Sequence, residues 1–157
     1  MAYDFKEQLK IGKIAEERVL NYLLAEGYEV ESVADKEEYF SKGIDFIIHW
    51  PDGNVNIDVK VDFFTEKTGN IAVELFSLKP DGQMTKGWLY KKDIDYLYYV
   101  TAPSYRLYII DMDKLREVVY EHNRGSYVLA DNTTYKSMNL LFSINQISYA
   151  LKSNLYI

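Results

Sequence analysis

The chain has 157 residues, no cysteine, two histidines and a formal net charge of −6. That length fits one domain, and 48% hydrophobic with 27% charged residues is the balance of a globular protein with a real core. The absence of cysteine excludes disulfides and thiolate metal sites, and His49 and His122 alone are too few for a structural zinc centre. Any metal is therefore expected to be a hard cation held by carboxylates. The acidic balance argues against nucleic-acid binding by bulk positive charge and leaves room only for a local basic strip. No apolar run approaches the roughly 20 residues of a membrane span. Residues 1–10 carry Asp4 and Glu7 and lack a signal peptide's apolar stretch, so the sequence reads as cytoplasmic, without membrane contact.

In chain order, residues 4–26 have a helical pattern stopped by Gly27. A short strand follows at 28–33, then a charged loop or helical turn at 34–42. Residues 44–50 and 54–62 read as strands joined through Pro51-Asp52-Gly53-Asn54, a turn sequence, which predicts an antiparallel hairpin. A loop at 63–69, a strand at 70–77 and a polar connection at 79–87 come next. Residues 88–95 read as a short helix, 96–101 and 106–110 as strands, and 111–121 as a helix with Asp111 at its N-cap. In the tail, 127–130 reads as a strand, and the capping-box spacing of Ser143 and Gln146 predicts a helix over 143–149. The whole is α/β (α+β), a single domain over 1–157 with a core of about 4–121 and a C-terminal extension at 122–157.

On the second hairpin strand Val55, Ile57, Val59 and Val61 alternate with Asn56, Asp58, Lys60 and Asp62. Period two puts the aliphatics on one face and Asp58 and Lys60 side by side on the other. Asp45 lies on the adjoining strand, where it can approach Asp58. Two carboxylates so close repel unless a cation lies between them. A hard cation there can polarise a phosphodiester, and a neighbouring lysine can orient water or stabilise developing charge. On the first helix, Glu16 falls in the middle of a stripe of Phe5, Leu9, Gly12, Val19, Leu20 and Leu23. An ionised acid there is costly unless paired or bound to metal, and the hairpin cluster is its natural partner. Gly12, one turn earlier, is expected to let the helix approach the sheet closely.

Gly12-x-x-x-Glu16, then Asp45, then Asp58-Val59-Lys60 after a hairpin, resembles the PD-(D/E)XK nuclease superfamily, which includes restriction endonucleases, Holliday junction resolvases and phage-encoded nucleases. The resemblance covers roughly residues 4–110, and the proline that precedes the first acid in that family is Ile44 here. It implies a restriction-endonuclease-like core, a mixed β-sheet flanked by helices. It implies a Mg²⁺- (or Mn²⁺-) dependent DNA endonuclease hydrolysing phosphodiester bonds, with branched or nicked DNA as substrate. Carried over, the metal falls to Asp45, Asp58 and the Val59 carbonyl with Glu16 in support, and Lys60 assists the attacking water. Residues 69–74 followed by Gly87-Trp88 are similar to small phage nucleases and offer Glu74 as an extra acid. Relatives that cut two strands imply a homodimer, and a phage origin would place the protein in the host cytoplasm.

Other features point elsewhere or nowhere. Lys79, Lys86 and Lys91 around a polar loop are candidates for DNA phosphates, or for plain solvation. The tyrosines at 90–108 can stack bases but more often fill a strand-rich core. His49 reads as a hydrogen-bonded structural residue. Nothing matches a phosphate-binding glycine loop or a serine nucleophile elbow. Three rivals remain at this level: a catalytically inactive nuclease-fold module that binds DNA or protein, an RNA- or nucleotide-directed hydrolase on the same site, and an interaction domain whose acids are merely solvated.

Overall fold

The structure is a computed structural model, and it describes residues 4–122, 126–132 and 134–157. Helix α1 (Phe5–Ala25) starts at a capping box in which Asp4 and Glu7 satisfy each other's backbone N–H. Strand β1 (Glu29–Ser32) and a single helical turn α2 (Glu37–Phe40) lead to the hairpin of β2 (Phe46–Trp50) and β3 (Gly53–Asp62). Trp50 pairs with Gly53 across the turn, and Gly53 takes φ 137°, which only glycine adopts without strain. After the short helix α3 (Thr65–Thr68) come β4 (Asn70–Leu78), β5 (Met84–Lys86) and a 3-10 turn at Trp88–Tyr90. Then follow β6 (Tyr96–Thr101), β7 (Arg106–Asp111), α4 (Met112–Glu121), β8 (Ser126–Asp131), β9 (Lys136–Ser143) and β10 (Leu151–Tyr156). Asp111 caps α4 by accepting from the Lys114 N–H, as expected.

Two sheets result. The larger has the order β1-β2-β3-β6-β7-β10, and the smaller β5-β4-β9-β8. The larger sheet is mixed: β3 and β6 pair in parallel while its other neighbours are antiparallel. A parallel pair needs a long crossover, and the chain between β3 and β6 uses it to lay down β4 and β5. Alternation in β3 sorts the faces as predicted. Ile57 and Val59 pack with Ala15, Val19 and Leu23 of α1, along with Phe46, Tyr98 and Leu107. The opposite face, with Leu97, Tyr99 and Ile110, is covered by Ile71, Val73, Leu140 and Phe142 of the small sheet and by α4. The fold is thus mixed α+β, with a mixed sheet flanked by helices.

Several local expectations differ. Residues 143–149 form a series of turns rather than a helix. Ser143 and Gln146 do exchange the capping hydrogen bonds, but the bonds that follow are mostly three-residue steps and the chain passes into β10 at Leu151. The polar connection at 79–87 contains β5, and the loop at 63–69 contains α3, closed by Gly69 at φ 72°. Residues 126–157 do not hang off the core: β8 and β9 extend the small sheet from β4, and β10 forms an edge of the large one. Phe142, fully buried between the sheets, should carry much of their cohesion. Phe142→Ala is expected to cost about 3–5 kcal/mol of unfolding free energy, read from denaturant titration.

Candidate active site

The site forms where β2 stops and β3 runs on. Phe46 is the register partner of Ile57, yet the Ile57 carbonyl also accepts the Asp45 N–H at 2.9 Å. The chain is therefore offset by one step just before β2, and Asp45 does not continue the simple pairing. The Val59 N–H, left without a strand carbonyl, donates to Asp45 Oδ2 at 2.7 Å. A buried backbone donor needs a partner, and here a carboxylate supplies it. That bond alone would favour the charged form of Asp45. Burial outweighs it, and with the like charge of Asp58 and Glu16 it pushes the Asp45 carboxyl up to about 7.

Asp58 is buried on the opposite side of β3 from the valine face and accepts from Lys60 Nζ at 2.7 Å. Burial works to strip the proton from Lys60. The charge and hydrogen bond of Asp58, with Asp45 and Glu74 behind it, prevail and hold the ammonium above its ordinary value. Lys60 is therefore a cation at neutral pH, its ammonium held by Asp58 and its side chain partly exposed.

Glu16 is half-buried on α1, with its carboxyl raised chiefly by burial and then by Asp35, while Lys60 and Lys13 oppose the shift. It lies within electrostatic reach of Asp58, Lys60 and Asp45. Its setting on the helix differs from the expectation. The buried stripe is Ala15, Val19 and Leu23, with Glu16 on its flank, while Phe5 and Leu9 are exposed. Gly12 is not needed for close packing either, since a Cβ there would meet nothing within 4 Å.

The far wall comes from β4. A register shift between Glu74 and Phe76 inserts one extra residue into β4, a bulge. It brings Ser77 to the same side as Glu74, where Ser77 donates to the Glu74 carboxylate. The glutamate's pKa is raised by burial, against the pull of Ser77, Lys60, the Trp88 backbone N–H and Lys91. Gly87 permits this wall. Its N–H donates to the Leu75 carbonyl at 2.7 Å, and an added Cβ would come within 2.4 Å of the Glu74 carbonyl oxygen. A cleft of about 620 Å³ opens between the walls, lined by Lys60, Glu74, Lys86, Lys91, Trp88 and Tyr135 among others. Lys79 lies outside it, beside Pro80 and Asp131.

Glu16, Asp45, Asp58, Lys60 and Glu74, the residues singled out in the sequence, lie within reach of one another's charge through Lys60. Among the described residues no three acids or histidines stand close enough to make a ready-built metal cage. Asp35, the strongest charge on Glu16, was missed, although its place in the charged 34–42 loop opposite α1 was a signal. His49 is structural as expected, held between Asn54 Oδ1 and Glu31 Oε2, each at 3.0 Å. Tyr98, Tyr99 and Tyr108 are buried in the core.

No family profile matches the chain, and no curated protein matches its sequence. Among solved structures it is similar to a bacterial homing endonuclease, I-Ssp6803I, at 18% identity with a TM-score of 0.52. The match covers 68% of this chain and 70% of that one. At that identity the likeness is one of fold: the chain shares the fold of a nuclease.

Proposed function

We propose that the protein is a Mg²⁺-dependent DNA endonuclease of the PD-(D/E)XK type, hydrolysing phosphodiester bonds in the cleft beside Lys60. The observation that carries this reading is the state of Asp45. The Val59 N–H holds its carboxylate at 2.7 Å in a buried place beside Asp58, and burial first, then the Asp58 charge, push that carboxyl up to about 7. The donors on offer are hard oxygens: Asp45, Asp58 and the Val59 carbonyl, with Glu16 in support. They suit Mg²⁺ or Mn²⁺, which takes one or two carboxylates and completes its shell with water and phosphate, so a three-acid cage is not required. When bound, such a cation polarises the scissile phosphate and makes water a better nucleophile.

The chain's own groups supply the rest. Lys60, held protonated, donates to the attacking water or to charge gathering on the phosphate, and cannot serve as the base. Asp58 fixes that ammonium through its 2.7 Å bond. Lys86 and Lys91 line the same cleft and take flanking phosphates, which is the local basic strip an acidic protein needs. Branched or nicked DNA is the proposed substrate, cut by a homodimer with one site per strand, in the cytoplasm. No helix among the described residues is long and apolar enough to cross a membrane. One observation favours an inactive binding module of the same fold: Lys60 already neutralises Asp58, which lessens the need for a cation there.

Cleavage of branched, nicked and paired DNA in Mg²⁺ separates these readings. Asp58→Asn and Lys60→Ala are each expected to slow cleavage at least about a hundredfold, with circular dichroism confirming the fold. Equal rates for both variants and the parent would remove this site from the chemistry.

A second outcome follows from Asp45. Its folded pKa lies above the unfolded value, so between about pH 4 and 7 the native chain binds more protons than the unfolded one. In EDTA, stability contributed by this group is present at low pH and falls as pH rises through that window, by on the order of 2–4 kcal/mol. Asp45→Asn keeps an oxygen for the Val59 N–H and should flatten the decline. In the parent, Mg²⁺ should recover stability at pH 8 but not at pH 5. Urea melts with and without Mg²⁺ at both pH values test this, and a decline undiminished in Asp45→Asn would contradict it.

A further inference from the structure

A second cavity, of about 570 Å³, opens off the catalytic cleft beneath β8. The two spaces share Asp62, Phe64, Ala72, Tyr135, Asn132 and Asn139 among their lining residues. Where the cleft sets lysines beside Asp62, the described lining of this cavity has no lysine or arginine, and its charged residues are Asp62 and Asp131. That lining repels phosphate. It suits an uncharged, flat ligand: the walls include Phe5, Phe64, Tyr135, Val128 and Leu141, with the Asn132 and Asn139 side-chain amides among them. Apolar and aromatic walls with a few fixed polar groups are the usual make-up of a small-ligand pocket, and this volume lies in the usual range of about 300–1,000 Å³.

Phe64 is the least expected of these residues. Its ring is 69% exposed, yet its backbone is firmly held. Asp62 Oδ1 accepts from the Phe64 N–H at 2.7 Å, the Thr65 N–H at 2.6 Å and the Thr65 hydroxyl at 2.8 Å. The backbone that carries a large exposed aromatic side chain is thereby held in place, four residues after Lys60. Asn139 is buried, its amide donating to Ser137 Oγ at 2.9 Å and to the Ser137 carbonyl at 3.3 Å, and Asn132 donates to the same Oγ at 3.2 Å, so Ser137 orients both side-chain amides.

We infer that this cavity receives an unpaired nucleobase of the DNA substrate, stacked on Phe64 while its phosphate lies toward Lys60. Resting on the nuclease reading, this narrows the substrate to DNA with an unpaired nucleotide next to the cut. A paired base shows only its edges in a groove. A base out of the stack brings a π-face to an aromatic ring and hydrogen-bonding edges to side-chain amides.

The test uses the intact protein in EDTA and an oligonucleotide duplex with one bulged 2-aminopurine, beside the same duplex with that base paired. Binding is read by anisotropy and stacking by 2-aminopurine emission. The bulged duplex is expected to bind about tenfold more tightly and to lose emission on binding. Phe64→Ala should abolish both differences, Phe64→Trp should restore them, and Tyr120→Ala, on α4, should leave them intact. Equal affinity for the two duplexes, or emission unchanged by Phe64→Ala, would overturn the proposal. Mg²⁺-dependent cleavage that ignores the bulge overturns the pocket and leaves the nuclease standing. Quenching that persists without any cleavage supports the pocket and removes the nuclease.

Discussion

Just before β2 begins, the Val59 N–H has no strand carbonyl to bond, and the Asp45 carboxylate takes its place at 2.7 Å. The ladder of β3 needs that acceptor, and no neutral residue of the same reach would bring a charge with it. The fold thereby pins an acid beside Asp58 and within reach of Lys60 and Glu16. Loss of the acceptor would leave a buried donor unpaired, at about 1–3 kcal/mol, and would disperse the cluster in the same stroke. Structure and chemistry draw on one hydrogen bond, and the discomfort of the acid is the mark it leaves.

The parallel pairing of β3 with β6 supplies the rest of the site. It obliges the intervening chain to travel across one face of the sheet, and that chain becomes β4, β5 and the turn at Trp88–Tyr90. Glu74, Gly87 and Lys91 all come from this crossover, so the wall facing Lys60 is a by-product of the topology. Strands β9 and β8, more than sixty residues beyond Lys60, then complete the groove, β9 pairing onto β4 and β8 onto β9.

Much of this was legible in the sequence because the signal was local. Strict alternation in 55–62 fixed which side of β3 is apolar, and Pro51-Asp52-Gly53 fixed the hairpin. The Asp45–Asp58–Lys60 group follows from those two facts. What stayed hidden depends on partners remote in sequence. In β10 the run Leu151–Tyr156 mixes apolar and polar residues on an edge strand, and its pairing with Arg106–Ile110 leaves no local trace. β9 carries Ser137 and Asn139 because one side of it faces a polar groove, which blurs the strand pattern. The Glu16 stripe was misjudged for a related reason. Helical periodicity tells which residues share a face, but not how much of that face the fold covers, and Phe5 and Leu9 stay exposed.

The bulge in β4 carries a consequence for how this chain can vary. Upstream of it, side chains follow one parity; downstream, the extra residue reverses the count, which is how Glu74 and Ser77 come to stand together. Deleting Leu75 would restore ordinary pairing and leave Ser77 on the side of Glu74, because Leu75 is the residue the bulge absorbs. What would go is the Leu75 carbonyl that accepts the Gly87 N–H, and with it the tie between β4 and Gly87. A substitution at this point changes a side-chain contact, whereas a single-codon gap removes that backbone tie. Length here is a more sensitive variable than composition.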